Sequence, residues 1–395
     1  MAGLAERQTD ANDSFWTWRE TMYRMAARFD PELLHAVAAQ LYVEMLEAGY
    51  TTVCEFHYLH HAPDGSPYAD PAAMSRALIQ AARDAGIRMT LLPVLYMRGG
   101  FDGRPLSERQ CRFGHEVDGY LRLLDTLRAE EGDRLRIGCA LHSLRAVPAD
   151  AMHAVLDAVP ADTRIHIHIA EQIGEVQDCL AIRGRRPVEW LLDNAEVDAR
   201  WTLVHATHLT DAEVQGIAAS GTTVAICPTT EANLGDGLFP LRAYLDAGGA
   251  WGIGSDSQIS VSPVEELRWL EYGQRLATRH RNIAVRPQRA DDTSASVGET
   301  LLHGVLASAG PATGHAIGRI AEDTCKDWIV LVADAPQFTG MRATDAVDRW
   351  IFSGNRNLVR DVVVGGVRVV SDGRHRDRDA VAAPYRTAMT RLLAD

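Results

Sequence analysis

Arg164-Ile-His-Ile-His-Ile-Ala-Glu-Gln172 alternates isoleucine with histidine and then breaks into a polar turn. β-branched residues in strict alternation read as a short strand. Side chains two apart share a face, so His166 and His168 point the same way, with His168 nearer the C-terminal tip. Glu171 follows three residues on, where the strand gives way to a loop. An imidazole at a strand tip can bind a divalent ion through one nitrogen, and a carboxylate beside it can move a proton to or from water or substrate. The plainer reading is a strand whose two histidines satisfy each other or the backbone. The rest of the chain decides between them.

The same texture recurs on both sides. Upstream, a helix starts at the Asp30-Pro31 cap and runs to Glu47 before Gly49. It is followed by a strand at 51–56 ending in His57-Tyr58-Leu-His60-His61, a helix at 70–85 and a strand at 88–96. A helix at 114–130, a strand at 135–145 and a helix at 149–158 lead into the central strand. Downstream, a helix at 173–195 precedes Trp201-Thr-Leu-Val-His205-Ala-Thr-His208, and a helix at 210–220 precedes the strand at 222–228. A helix at 240–248 then precedes Ala250-Trp-Gly-Ile-Gly-Ser-Asp256-Ser, and a further helix begins at Pro263. Before the first helix, Ser14-Phe-Trp-Thr-Trp-Arg19 reads as an aromatic loop packed over something. Strands alternating with helices at this spacing imply a parallel sheet, and the regular repetition favours a barrel. Seven strands are countable where a closed (β/α)8 TIM barrel needs eight.

After residue 320 the chain turns β-rich. Asp327-Trp-Ile-Val-Leu-Val-Ala-Asp334 and Val362-Val-Val-Gly-Gly-Val-Arg-Val-Val370 read as part of a small β-sandwich domain, the second with a Gly-Gly hairpin signal. A polar run, Ser371 to Asp379, leads to a terminal helix at 382–394. The expected organisation is a barrel over 1–320, a partial small β-domain over 321–372, and a polar segment with a helix over 373–395.

With 395 residues, 46% of them hydrophobic, the chain can bury a barrel-sized core plus a smaller appendage. A net charge of −13 argues against nucleic acid or an anionic membrane as a partner, since both need a basic face. Cys54, Cys111, Cys139, Cys179, Cys227 and Cys325 are scattered with no CxxC, and several sit in apolar runs, as reduced core cysteines do. No stretch approaches a membrane span, and Met1 to Gln8 has no signal-peptide core. The expected location is the cytoplasm.

In a parallel barrel the active site forms at the C-terminal ends of the strands. The polar residues at those ends are His57/Tyr58, His142/Arg145, His168/Glu171, His205/His208 and Asp256. Two histidines and an aspartate at the tips of three of the last four strands, with a glutamate beside the first, favour a metal site over scattered structural histidines. This set resembles the amidohydrolase superfamily, specifically its aminohydrolase branch. The local sequences are similar to the formimidoylglutamate deiminases of histidine degradation. The matching pieces are Ser14 to Arg19, Glu55-Phe-His-Tyr58-Leu-His-His61, Leu141-His142-Ser-Leu-Arg145, His166 to Gln172, and Gly254-Ser-Asp256-Ser with the helix from Pro263.

The resemblance implies a fold, a reaction and roles. His168 and Asp256 would be metal ligands, and the cofactor one divalent metal, taken as zinc from the ligand type. Glu171 would be the proton shuttle, His205 would orient the attacking water or the tetrahedral intermediate, and Asp256 would take the water's proton. Arg19, Tyr58, His142 and Arg145 would hold the glutamate moiety of N-formimino-L-glutamate, a small molecule with two carboxylates. Arginine forks suit that task because they bind carboxylates bidentately. The family's first strand carries a His-x-His pair that supplies two more ligands, and it would precede residue 1. The expectation is therefore a barrel lacking its first strand, with Met1 an internal methionine or a truncation point, which binds metal weakly and folds poorly. Two other readings stand beside this one: an aminohydrolase for a nucleobase or triazine, and a degenerate barrel kept for binding or assembly. Helices such as 264–277 would suit a homodimer.

Overall fold

The computed structural model describes residues 3, 4, 6, 15–285 and 295–394. It opens with two helices, α1 (Phe15–Ala26) and α2 (Pro31–Ala48). Asp30 caps α2 by accepting from the Leu33 N–H at 2.8 Å, and Gly49 ends it at φ +108°. Next come β1 (Thr52–His57), α3 (Ala73–Ala85), β2 (Arg88–Leu95), α4 (Val117–Arg128), β3 (Leu135–Ile137), β4 (Cys139–Ser143) and α5 (Ala149–Ala158). The central strand is β5 (Ile165–Ile169), followed by α6 (Ile173–Arg183), α7 (Pro187–Asn194), β6 (Trp201–His205), α8 (Asp211–Ser220) and β7 (Thr223–Ile226). α9 (Pro228–Leu234), α10 (Leu241–Asp246), β8 (Ala250–Ile253), α11 (Pro263–Thr278) and α12 (Val297–Thr313) complete the series.

All of these strands pair in parallel in the order β1-β2-β4-β5-β6-β7-β8, with β3 joined to β2. β3 and β4 are consecutive pieces of the strand read at 135–145, interrupted at Gly138. A Cβ there would lie 2.5 Å from Leu92 Cδ2 and 3.0 Å from Arg164 O, so only glycine lets the strands approach. Among the described residues β1 and β8 are the ends of this sheet, and no strand joins them. The outer face of the sheet and the covering helices share one hydrophobic core running from Tyr42 and Leu46 of α2 through Leu91, Ile167 and Leu203 to Trp251.

The other face of the barrel is closed by α12. The Ala312 carbonyl accepts from His166 Nε2 at 2.9 Å, and the Thr313 carbonyl accepts from Thr90 Oγ1 at 2.6 Å. His315 returns a bond from Nε2 to Met89 O at 3.1 Å. The Ala312 and Thr313 carbonyls are among those a helix end leaves without internal partners, and the barrel supplies their donors. His166 therefore has the plainer of the two roles weighed for it.

β9 (Trp328–Leu331), α13 (Ala346–Phe352), β10 (Val359–Val364), β11 (Val367–Ser371), β12 (Arg374–His375) and α14 (Arg378–Leu393) form the C-terminal part, with the strands antiparallel in the order β12-β11-β10-β9. Gly365 and Gly366, at φ +57° and +78°, turn the β10–β11 hairpin, as a two-residue type I′ turn requires. Asp327, just before β9, pairs with Arg88 of β2 through two bonds, Nε to Oδ2 at 2.9 Å and Nη2 to Oδ1 at 3.0 Å. Both side chains are almost fully buried, 2% and 5% exposed, so this fork ties the small sheet to the barrel.

Several sequence expectations need correction. The helix expected over 173–195 is two helices, because Gly184 caps α6 at φ +67° and Pro187 opens α7. The aromatic stretch is helical from Phe15 onward, not a loop, while Ser14 and most of the residues before it lie outside the described set. α9 was not anticipated, nor was α12. The polar run before the terminal helix contains β12, and that helix begins earlier, at Arg378. No helix among the described residues is long and apolar enough to cross a membrane.

Candidate active site

Parallel register sets the depth of each strand tip. Ile169 of β5 lies opposite His205 of β6, and Ile226 of β7 lies opposite Ile253 of β8, so the three tips carrying His168, His205 and Asp256 converge. Glu171, His168, His205 and Asp256 line one cavity of about 1370 Å³, and Arg19, Tyr58, His142 and Arg145 line it too. His205 Nε2 is 3.6 Å from Glu171 Oε1 and 3.9 Å from Asp256 Oδ2. The His168 and His205 rings stack with centroids 5.6 Å apart. Backbone geometry here is unusual. Ala170, His205, Ala206, Asp256 and Gln258 all have positive φ without being glycine, and such strain persists where surrounding structure enforces it.

His168 is held as a metal-binding histidine is. Its Nδ1 donates to His142 O at 3.0 Å, which leaves Nε2 as the lone-pair nitrogen facing the cavity. There it accepts from the Tyr58 hydroxyl at 3.2 Å. Burial pushes the ring's pKa down to about 3, so it is neutral, the form that ligates. Around it the carboxylates crowd. Burial raises the Glu171 pKa; His205 pulls it back, and the Asp256 charge pushes it up again. Burial likewise raises Asp256, with His205 opposing and Glu231 adding to the rise. For His205, burial opposes the charged form, but Glu171, Cys227 and Glu231 outweigh it and hold the pKa well above the ordinary imidazole value. A neutral imidazole beside mutually repelling carboxylates on the cavity wall is a donor set that fits a divalent cation.

A second group of side chains faces the same space from the other side. Arg19, on α1, gives its Nε–H to the Tyr23 hydroxyl at 2.5 Å, and Tyr23 stacks on Phe113 at 6.0 Å. Arg145 follows β4; burial opposes its charge, while Tyr96 and Glu175 favour it. Its Nη1 is buried with no hydrogen-bond partner among the described residues. A sequestered guanidinium nitrogen beside a cavity is what a carboxylate-bearing ligand would satisfy. His142 packs edge-on against Tyr96, with centroids 4.2 Å apart, and gives or takes a bond between Nδ1 and Ser143 Oγ at 2.9 Å. Burial, then Arg145, keep it neutral.

Three residues of this neighbourhood were not anticipated from the sequence. Glu175 accepts from the Glu171 N–H at 3.0 Å and so fixes the turn on which Glu171 stands. Burial lifts its own pKa to about 7, with help from Glu171. Glu231 meets His205 Nδ1 at 3.2 Å, and Cys227 lies with them, the ligand atoms of the trio within 4.8 Å of one another. Such a trio has the residue types of a metal site, but Glu231 Oε1 is already engaged by the Cys227 N–H at 2.8 Å, and burial keeps the thiol protonated. We read the trio as support for His205. His208 lies further out, beside Gly237, while His57, His60 and His61 gather with His115 on the β1 side.

Residues 3–296 match the amidohydrolase family. The chain is 50% identical to the formimidoylglutamate deiminase of Pseudomonas aeruginosa over 394 residues, spanning all of this chain and 86% of that protein. An amidohydrolase from Brucella melitensis superposes with a TM-score of 0.93 at 44% identity, over all of this chain and 86% of its own. The atrazine chlorohydrolase of Arthrobacter aurescens, solved with zinc, shares the fold at a TM-score of 0.80 and 22% identity, over 96% of this chain and 82% of that one.

Proposed function

Because the chain belongs to the amidohydrolase family, we propose that it hydrolyses N-formimino-L-glutamate to N-formyl-L-glutamate and ammonia, with one divalent metal, zinc, at the His168–Asp256 tips. The observation that carries the substrate is the pairing of two arginines with the carboxylate-histidine cluster in one cavity, Arg145 with an unsatisfied buried nitrogen. A planar nucleobase or triazine has no carboxylate for those guanidinium groups to meet.

In this reading Arg19 and Arg145 hold the two carboxylates, Tyr58 and His142 border the glutamate chain, and the formimino carbon is left among Glu171, His205 and Asp256. Asp256 takes a proton as water adds its oxygen to that carbon. His205, its Nδ1–H turned to Glu231, presents Nε2 to the developing tetrahedral centre. Glu171, with its pKa raised, then protonates the departing nitrogen and takes the new hydroxyl's proton as the carbonyl forms. Asp256 passes on the water's other proton, the C–N bond breaks, and ammonia leaves with N-formyl-L-glutamate as the other product. The chemistry that zinc supplies when bound is the acidification of water to near neutral pH. His168 and Asp256 are the residues of this chain that would hold it.

Zinc sites usually draw at least three protein ligands. Among the described residues, the unpaired edges of β1 and β8 flank the cavity, which also runs past Tyr50, Thr52 and Gly252 beside them. A further strand in that gap, bearing the His-x-His pair the family resemblance implies, would close the barrel and complete the set. Ammonia release from N-formimino-L-glutamate by the 395-residue chain with zinc, above that of Glu171→Gln, would support the reading. No release at saturating zinc, or turnover of a nucleobase or triazine instead, would overturn it for this chain.

A further inference from the structure

We infer that the turn Cys227-Pro-Thr-Thr-Glu231 is the shared positioning element of the site, holding His205 through Glu231 and the Asp256 loop through Thr230. The inference rests on the reaction proposed above and names residues to which neither the family match nor the sequence reading gives a role.

The turn begins as β7 ends. Pro228 opens α9, and the Glu231 carboxylate folds back on the Cys227 N–H at 2.8 Å, closing the first turn on itself. The same oxygen, Oε1, receives the His205 Nδ1–H at 3.2 Å. That bond holds the ring and sets where Nε2 points, 3.6 Å from Glu171 and 3.9 Å from Asp256.

One residue earlier, Thr230 reaches the neighbouring tip. Its hydroxyl oxygen accepts the Ser257 N–H at 3.2 Å, and it lies 3.2 Å from Ser255 O and 2.9 Å from Ser257 Oγ. These groups bracket Asp256, so the aspartate is pinned on both flanks by one hydroxyl. Both targets need holding: His205 sits at φ +70° and Asp256 at φ +40°, conformations a non-glycine residue does not keep by itself.

The turn is itself anchored. Thr229 donates to Glu266 of α11 twice, from its N–H at 2.9 Å and its hydroxyl at 2.6 Å. Thr230 and Glu266 are fully buried, and Thr229 and Glu231 are each 4% exposed. A satisfied network with no access to water is rigid, so it transmits position. β6 and β8 are not neighbours; β7 lies between them. A turn on the middle strand is the shortest way to register one tip against the other.

The test uses the full chain with Thr230→Val, Thr230→Ser and Glu231→Gln. Thr230→Val keeps shape and loses the hydroxyl, while Glu231→Gln keeps one acceptor oxygen but removes the negative charge that draws the His205 Nδ1–H. Each should lower kcat about 10–100-fold. KM should stay within about threefold, since neither residue meets the carboxylate end of the substrate. Thr230→Ser should restore most of the rate. Independently of substrate and metal, Thr230→Val should speed amide hydrogen exchange in the 254–258 segment and leave the melting temperature nearly unchanged. A kcat unaffected by Thr230→Val, unchanged exchange in that segment, or a fall in kcat that simply tracks a fall in melting temperature would overturn the inference. If the parent chain releases no ammonia, the proposed reaction falls instead, and the exchange measurement still decides the role of the turn.

Discussion

The two ends of the same strands solve opposite problems. At the N-terminal end the barrel is shut. The polar groups that anchor α12 and the small sheet pair there in ordinary geometry: His166 and Thr90 satisfy the carbonyls of α12, and Arg88 and Asp327 neutralise each other in a bidentate pair. At the C-terminal end, carboxylates crowd together, an arginine nitrogen has no partner among the described residues, and five non-glycine residues take positive φ. One end spends its polar groups on stability, and the other holds them ready for a ligand. Substitutions should therefore divide cleanly, with those below costing stability and those above costing rate.

The largest effect should come from Glu171→Gln, which keeps size and removes the transferable proton. Turnover of N-formimino-L-glutamate should fall about 10²–10⁴-fold while zinc content and melting temperature hold. A variant with full turnover would break the contrast at its centre. Next, Asp327→Ala strands the buried Arg88 guanidinium, and removing one partner of a buried pair costs about 3–5 kcal/mol. Urea unfolding should register that loss, and a midpoint like that of the parent would show the fork to be ornamental. Arg145→Lys keeps charge but loses the planar fork, so kcat/KM should drop about 10–100-fold, mostly through KM. A drop confined to kcat would move Arg145 from binding to chemistry.

The smallest effect sharpens the contrast through pH. Glu55 of β1, bonded to the Tyr42 hydroxyl at 2.9 Å, is raised to about 7 by burial. A carboxyl raised on folding contributes stability that is complete below its unfolded value near 4.5 and is lost as pH climbs through about 7. Glu55→Gln should therefore leave the melting temperature nearly unchanged at pH 5 and raise it at pH 8. An effect of the same size at both values would mean that Glu55 is charged in the fold.

The strand-helix alternation was legible because each element carries local signals: Asp30-Pro31 before α2, Gly49 and Gly86 after helices, isoleucines alternating in β5. Seven of the eight candidate site residues stand at or just after strand tips, which parallel strands send to one place, whereas Arg19, on α1, entered only through the family resemblance. What escaped lacks periodicity. α9 has 7 residues and no apolar stripe, and Glu231 reaches His205 across 26 positions of sequence. Its one visible signal is a proline straight after a strand with a glutamate three residues on. α12 escaped for a different reason: its glycines fit Asp348 and Trp251, contacts that exist only in three dimensions. The break between α6 and α7 was there to be read in Gly184 and Pro187.

The capping of α12 by the barrel also says something about time. Its terminal carbonyls meet Thr90 and His166, which are 223 and 146 positions away in the chain. Those donors stand side by side only after β2, β4 and β5 have assembled. Closing such distant loops is slow, and the bonds that reward it come last. The helix is then a bolt thrown on a finished frame. In pulse-labelled refolding, the amides of its final turn should be among the last to gain protection.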